Sequence, residues 1–450
     1  MQAFLDALIS NPSKYILTLL LTGCVLALLV RASVTNIYDP WVFQQIFTVF
    51  ASSVVIFMWY CGIVNSSLAI YHIAATFIFL VCAGFTFKRI TRTQRVQRQI
   101  DRGALSFLRV VFLVLFVSSQ LSAWALSGFP IFLESRLDAF SSGGGVGVFS
   151  RIISFTSILL IFLTVLRIGT AQSKKLNFLD LFVLLFSIAV AVLSGSKGSV
   201  FFILVYIMAS NWICQRTFQD YAVPTVPKRK LILFGVVLSA LMLIPAAVEQ
   251  TRDTASDLGG PLQAVAFRMV SSGDIYMWMY GDDYLSFVSV SSPTALLFLD
   301  LLGMTRIVSW DQLPVHPGLQ IFRDLFPNSD AIRGPNMRVD VFGLLYGNEW
   351  IGVIFCAALG SLFGILRAWL FRAKSALFFL PAVYIFFQAP MFFVDPVLGV
   401  TALVNTGFGI VIVMVAVAVI GSDPFGPGVL VMRSEKKNVD IQSPPKLPLC

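Results

Sequence analysis

Apolar residues fall along this chain in long unbroken runs separated by short polar breaks. They do not alternate as in half-buried strands. Runs close to the length that crosses a bilayer, about 20 residues, occupy roughly 14–31, 41–61, 67–87, 104–126, 151–167, 177–195, 199–215, 231–248, 345–367, 376–394 and 398–420. An open strand in lipid would leave backbone groups unpaired, so each run is expected to be a helix. The fold class that follows is an all-α polytopic membrane protein with about 11 (10–12) transmembrane helices and one large extracytoplasmic loop containing interfacial helices. The chain divides into an N-terminal bundle of about eight spans (1–248), the loop (249–344), C-terminal transmembrane helices (345–420) and a tail (421–450) that reads as disordered. No internal repeat and no separable soluble domain is visible.

Composition agrees with this pattern: 57% of residues are hydrophobic and only 12% charged, against about a quarter charged in soluble domains. The net charge of +9 does not point to nucleic acid, because the excess sits in short loops beside the spans. These basic clusters are Lys88 to Arg102, Arg167 to Lys175, Arg216 to Lys230, Arg367 to Lys374, and the tail. With eleven spans all five reach one side, which the positive-inside tendency makes the cytoplasm. The loop is then extracytoplasmic, together with 127–150, the tight turn at 195–198 and a short turn at Asp395–Pro396. Six cysteines lie in or beside the spans or at the C-terminus, with no metal-ligand spacing and no disulfide expected. The first apolar run is followed by Arg31 rather than a small-residue cleavage site, so it reads as a retained helix.

Inside the loop, PLQAVAFRMV (261–270) and TALLFLDLLGM (294–304) are apolar but short, as expected of helices lying in the interface. The loop also gathers Arg252, Arg268, Arg306, Arg323, Arg333 and Arg338. Topology does not explain six arginines on that face, and arginine is suited to bidentate phosphate binding. About half are expected to pair with loop carboxylates such as Asp253, Asp257, Asp282, Asp283 or Asp324. His316, between prolines, has the chemistry of a general base or a phosphate ligand, or of a solvated or structurally bonded loop residue. SGSKGS (Ser194–Ser199) places Lys197 among glycines at a tight turn; it suits an anion or is a plain hairpin turn. Arg136 and Arg151 flank a glycine run that on its own reads as an ordinary loop. His72, inside a span, reads as a packing or interhelical hydrogen-bond residue. Arg109 reads as snorkelling to the cytoplasmic surface. The sequence carries no Asp-x-Asp motif in an external loop and no nucleotide fingerprint. It also lacks a chain of intramembrane carboxylates, Asp180 and Asp395 both falling at span ends.

Three pieces, GFPIFLESRLDAF, LSGSKGS and FGLLYGNEWIGVIFCAALGSLFGIL, occur in that order with the large loop just before the last. Together they resemble the O-antigen polymerase family, the Wzy-type repeat-unit polymerases of bacterial envelope polysaccharides. The likeness is architectural across most of the chain. At one motif position the family often has arginine where this chain has Lys197, which keeps the charge but loses the bidentate fork. The resemblance implies a multi-pass protein of the bacterial inner membrane with a periplasmic loop. It implies a metal-independent glycosyltransferase of O-antigen or related polysaccharide biosynthesis, acting on oligosaccharide repeats carried by undecaprenyl diphosphate. No cofactor would be needed, and a chain-length regulator is an implied partner.

That chemistry builds negative charge on a departing diphosphate, for which fixed cations are useful. The candidates are Arg136, Lys197, Arg252, Arg268, Arg333 and Arg338, with Tyr346 as a further substrate contact. The acceptor hydroxyl needs a base, for which the candidates are His316, Asp340 and Asp274 in that order. The aromatic run IYMWMYGDDY (Ile275–Tyr284) suits stacking on sugars or an interfacial belt. Competing readings are an O-antigen ligase, which shares the layout, a polysaccharide flippase or other transporter, and a structural subunit of an envelope assembly. A transporter should show broken helices or internal pseudo-symmetry, and the sequence displays neither.

Overall fold

The apolar runs become helices in a computed structural model. It describes residues 2–91, 94–133, 146–171, 176–196, 198–223, 270–329, 333–421, 423–425 and 429–432. Among them, nine helical segments are long and apolar enough to cross a membrane. In the first half these are α2 (Pro12–Val30), preceded by the short α1 (Gln2–Ser10), α3 (Pro40–Tyr60), α4 (Ser66–Thr91), α5 (Arg102–Ser127) and α6 (Val146–Thr170). The apolar α7 (Phe178–Leu193) is shorter, and α8 (Ser199–Thr217) follows it. The expected span at 231–248 lies outside the described residues. So do the expected interfacial segment at 261–270, apart from its last residue, and most of the tail.

After the loop come α13 (Glu349–Trp369), α14 (Ala376–Gln388), α15 (Met391–Val394) and α16 (Pro396–Ile420). The run expected as one helix over 376–394 is interrupted at Ala389–Pro390. Pro390 has no N–H to continue the ladder, and Asp395, in an extended conformation, caps α16 through Val397 N at 3.0 Å. The corner α15 points into the bundle: the Phe393 ring lies 4.9 Å from Phe79 and 5.6 Å from Trp41.

The most extensive helix contact among the described residues joins α4 to α13, and the two run parallel and in register. Ser67 donates to Glu349 Oε1 at 2.5 Å near their first residues. Further along, Gly352 faces Tyr71, Gly360 faces Phe79, and Gly364 faces Ala83 and Thr86. Cys356, also buried, completes a small-residue row at every fourth position. Such rows let helix backbones approach closely where lipid provides no hydrophobic drive. At the far end Arg367 and Asp39 form a fully buried ion pair. Arg367 also donates to Ser33 O at 2.7 Å, and Asp39 accepts from Thr35 and Trp41.

Ties among the helix ends show which end is which. Arg109 in the third turn of α5 donates to Asp180 Oδ1 at 2.6 Å. Arg167 from the last turn of α6 grips the same carboxylate. Arg109 therefore does not snorkel; it is buried, because Asp180 at the start of α7 offers it a partner inside the bundle. Strand β1 (Gln94–Gln97), after α4, pairs antiparallel with β2 (Val429–Met432), after α16, at this same basic end. The opposite end carries the loop. Exposed apolar faces, such as Leu17, Leu20, Leu21 and Leu28 on α2 or Val411, Met414, Val415 and Val419 on α16, are what lipid would cover.

The described part of the loop, 270–329 and 333–344, folds back onto the bundle as short helices, among them α9 (Pro293–Leu297), α10 (Leu299–Met304), α11 (Pro317–Leu325) and α12 (Val339–Leu344). The apolar run expected at 294–304 is helical, as α9 and α10. Arg151 holds α10 in place, giving a two-pronged bond to Asp300 at 2.6 and 2.8 Å while also reaching Asn405 on α16 at 3.0 Å. Arg151 thus ties loop to bundle, where sequence alone left it in an ordinary loop.

Candidate functional site

The segment Arg333–Asp340 approaches α11 closely enough that only glycines fit where they touch. A Cβ on Gly334, at φ +155, would lie 2.2 Å from Gly318 O, and one on Gly318 would lie 2.1 Å from Pro335 O. Beyond this crossing the chain turns inward and Met337, Arg338, Val339 and Asp340 are all buried. Asp340 meets His72 on α4, which is about 9 Å along that helix from Ser66 at 1.5 Å per residue.

Asp340 is 1% exposed and heavily bonded. Its Oδ2 lies 2.7 Å from His72 Nδ1, its Oδ1 accepts from the Tyr276 hydroxyl at 2.8 Å, and Oδ2 also accepts from Tyr280 at 3.3 Å. Its backbone carbonyl accepts from Tyr71 at 2.6 Å. A π-helical turn, Met277–Gly281, follows Asp274–Tyr276, and both tyrosines of this stretch reach the one carboxylate. Wide turns of this kind are rare and concentrate at functional sites. Burial pushes the Asp340 pKa up, but the His72 ring, the Tyr276 hydroxyl and the nearby Arg338 guanidinium outweigh it, and the carboxyl stays below the ordinary aspartate value. Burial and the Asp340 charge push the Tyr276 and Tyr280 hydroxyls well up, so both remain donors.

Arg338 is 4% exposed. Its Nη2 donates to Ser272 O at 3.2 Å, and its Nη1 is buried with no hydrogen-bond partner among the described residues. A buried guanidinium arm without an acceptor is costly, by about 1–3 kcal/mol. It is the kind of group an anionic ligand would satisfy.

A second histidine–aspartate pair adjoins the first through the same segment. His316 caps the N-terminus of α11, its Nδ1 accepting from Gly318 N–H at 3.2 Å, which assigns the ring proton to Nε2. Nε2 then donates to Asp395 Oδ2 at 3.1 Å. Asp395, buried, also accepts from the Met337 N–H at 3.1 Å, one residue before Arg338. The His316 side chain keeps 27% of its surface exposed. A carboxylate fixing one ring nitrogen leaves the other as the basic one.

Of the residues singled out from the sequence, the structure therefore brings Asp340, Arg338 and His316 together around one segment. Arg333 is half-buried at the outer end of that segment. Asp274 opens the helical stretch that carries Tyr276 and accepts from Ile275 N at 2.8 Å. Tyr346 packs its ring on Phe342 and Phe355, between α12 and α13. Arg136, Lys197, Arg252 and Arg268 lie outside the described residues. The two shorter motifs are neighbours: Gly195, at φ +66, packs against the Pro130–Ile131 backbone. Sequence reasoning missed Tyr71, Tyr276 and Tyr280 as partners of Asp340; His72, read as a packing or interhelical hydrogen-bond residue, makes such a bond from α4 to Asp340 on α12, a partner the sequence did not name. The one available signal was an ionisable residue inside an apolar span, which defaults to a functional hypothesis. No known protein family matches this chain, and neither does any curated protein or solved structure.

Proposed function

We propose that this chain is a membrane glycosyltransferase of the O-antigen polymerase type, joining lipid-diphosphate-linked oligosaccharides at the loop end of the bundle, on the periplasmic face of a bacterial inner membrane. The observation that carries this reading is the Arg333–Asp340 segment. It sets a buried arginine with an unpartnered N–H arm one residue from the amide that closes on the His316–Asp395 pair. Glycosyl transfer from a diphosphate needs those two functions, a fixed cation and a partly exposed base.

In the proposed step His316 Nδ1 takes the proton of the acceptor hydroxyl, giving up its long bond to Gly318 N–H. The acceptor oxygen attacks the anomeric carbon, the bond from that carbon to the diphosphate oxygen breaks, and its electron pair leaves with the lipid diphosphate. Arg338 stabilises that developing charge. Direct displacement inverts the anomeric centre. Asp340, with both oxygens already accepting bonds, is the anchor that holds His72 and the tyrosine turn in place rather than the base. Sidedness follows from the basic end carrying Lys88, Arg89, Arg167, Arg216 and Arg367, which the positive-inside tendency assigns to the cytoplasm.

The test is purified protein incubated with a synthetic undecaprenyl-diphosphate repeat unit. A ladder of longer lipid-linked products is expected. Arg338→Gln should reduce it by about 10²–10³-fold, the usual effect of losing a charge-stabilising donor, at normal protein level. Product retaining the donor's anomeric configuration would refute the single displacement. Transfer only to lipid A core would make the chain a ligase.

A further inference from the structure

An open groove of about 400 Å³ crosses the outer surface of the loop, lined by Ser289, Ser291, Pro314, Val315, Gln320 and Arg323. Its two walls are the stretches 284–291 and 314–324, and they are fastened together. Gln320 Oε1 accepts from Ser289 N–H at 3.2 Å, and its Nε2 donates to Ser289 O at 3.0 Å and to Val315 O at 2.9 Å. The Tyr284 hydroxyl donates to Asp324 Oδ2 at 2.7 Å. Gln320 is thus consumed in holding the shape, while the Ser289, Ser291 and Arg323 side chains are exposed.

An aromatic file continues one wall. Trp278 and Tyr284 meet edge to face at 6.0 Å, Tyr284 and Phe287 at 5.4 Å, and Phe287 is 53% exposed. Rings in edge contact leave faces open for another partner. Open aromatic faces beside hydroxyls and a guanidinium suit a ligand with apolar C–H faces and many hydroxyls. They do not suit a compact anion, since Asp282, Asp283 and Asp324 stand exposed nearby. The groove also has a direction: Val315 lines it, and the next residue is His316.

We infer that this groove binds the acceptor oligosaccharide and delivers its terminal hydroxyl to His316. The inference rests on the function proposed above and adds to it a place for the sugar chain. Phe287 and Trp278 stack against sugar rings, Ser289, Ser291 and Arg323 bond to hydroxyls, and Gln320 is a positioning residue that holds one wall to the other.

The test is photo-crosslinking of the full-length protein in the cells that make it. Benzoylphenylalanine is placed at Val315 and, in a separate variant, at Ser291, with Val419 on the far end of α16 as control. Adducts are stained for carbohydrate by periodate oxidation and hydrazide labelling. Carbohydrate adducts are expected at 315 and 291 and not at 419, and Phe287→Ala or Arg323→Gln should lower the yield about fivefold to tenfold. Adducts at neither groove position, in cells whose surface polysaccharide disappears when this chain is deleted, would overturn the groove while leaving the proposed function standing. Deletion that leaves the polysaccharide intact, again without adducts, would overturn both. Lipid or protein adducts without carbohydrate at 315 and 291 would equally refute the groove as a saccharide site.

Discussion

Replacing Gly360 with alanine tests the parallel pairing of α4 and α13 where the backbone of α4 comes nearest to a glycine of α13. The added Cβ would stand 2.4 Å from the Phe79 carbonyl oxygen and 2.9 Å from its Cα, where real Cβ atoms essentially never come within 3.0 Å. Both obstacles are backbone, so no side chain can swing away, and the helices must part by roughly half an ångström or more in a close-packed interior. Overpacking of this kind costs about 1–3 kcal/mol. Gly407 on α16 supplies the control, since nothing lies within 4 Å of its would-be Cβ. Alanine there removes only glycine's backbone-entropy penalty and should be neutral or stabilising by about 0.5–1 kcal/mol. Thermal unfolding of the two variants in detergent micelles, followed by tryptophan fluorescence, should show Gly360→Ala melting below the parent and Gly407→Ala at or above it. Gly360→Leu should fail to accumulate. If Gly360→Ala melts with or above Gly407→Ala, the interface described here is wrong.

Other consequences are equally direct. Asp340→Ala strands the His72 ring and the Tyr276 and Tyr280 hydroxyls; at about 1–3 kcal/mol per orphaned buried group, the variant should melt well below the parent. Because the Asp340 carboxyl is held below its ordinary value of 3.8, its stabilisation is present above that value and lost as pH falls through the lower folded one. The stability gap between parent and Asp340→Asn should therefore be flat from neutral pH to about 5 and close only in stronger acid. Arg151→Ala and Asp300→Ala should each hasten protease cleavage of the loop, and a double-mutant cycle should return a coupling of about 1–3 kcal/mol. His316→Asn should abolish transfer while leaving lipid-linked substrate bound.

The spans were legible because a run of about twenty apolar residues has few other structural uses, and ten of the expected runs have a helical counterpart here once the shorter α7 joins the nine. The interruption at Ala389–Pro390 could have been read from its proline. The route of the loop could not. Its helices are too short to show a period, and its decisive contacts join residues far apart in sequence: His72 and Asp340 are separated by 268 positions. Apolar pattern says that Asp340 is near a span; only the fold says which histidine and which tyrosines it meets. Arg109 shows the same limit, since snorkelling is the sensible default for a cation near a helix end until Asp180 is seen to face it.

The α4–α13 pair has a consequence for biosynthesis. Its members are 282 positions apart at the Ser67–Glu349 bond, so at a synthesis rate of about 5–20 residues per second α4 waits on the order of 15–60 s for its partner. Throughout that delay Phe79 lies against Trp41 without Phe363 or Phe393, Tyr71 and His72 lack Asp340 for most of it, and Asp39 has no Arg367. The first helices must be tolerated by the membrane as an unfinished half-shell. The last quarter of the chain then enters as the wedge that closes it, and a ribosome stalled before Glu349 leaves Asp39 without its cation.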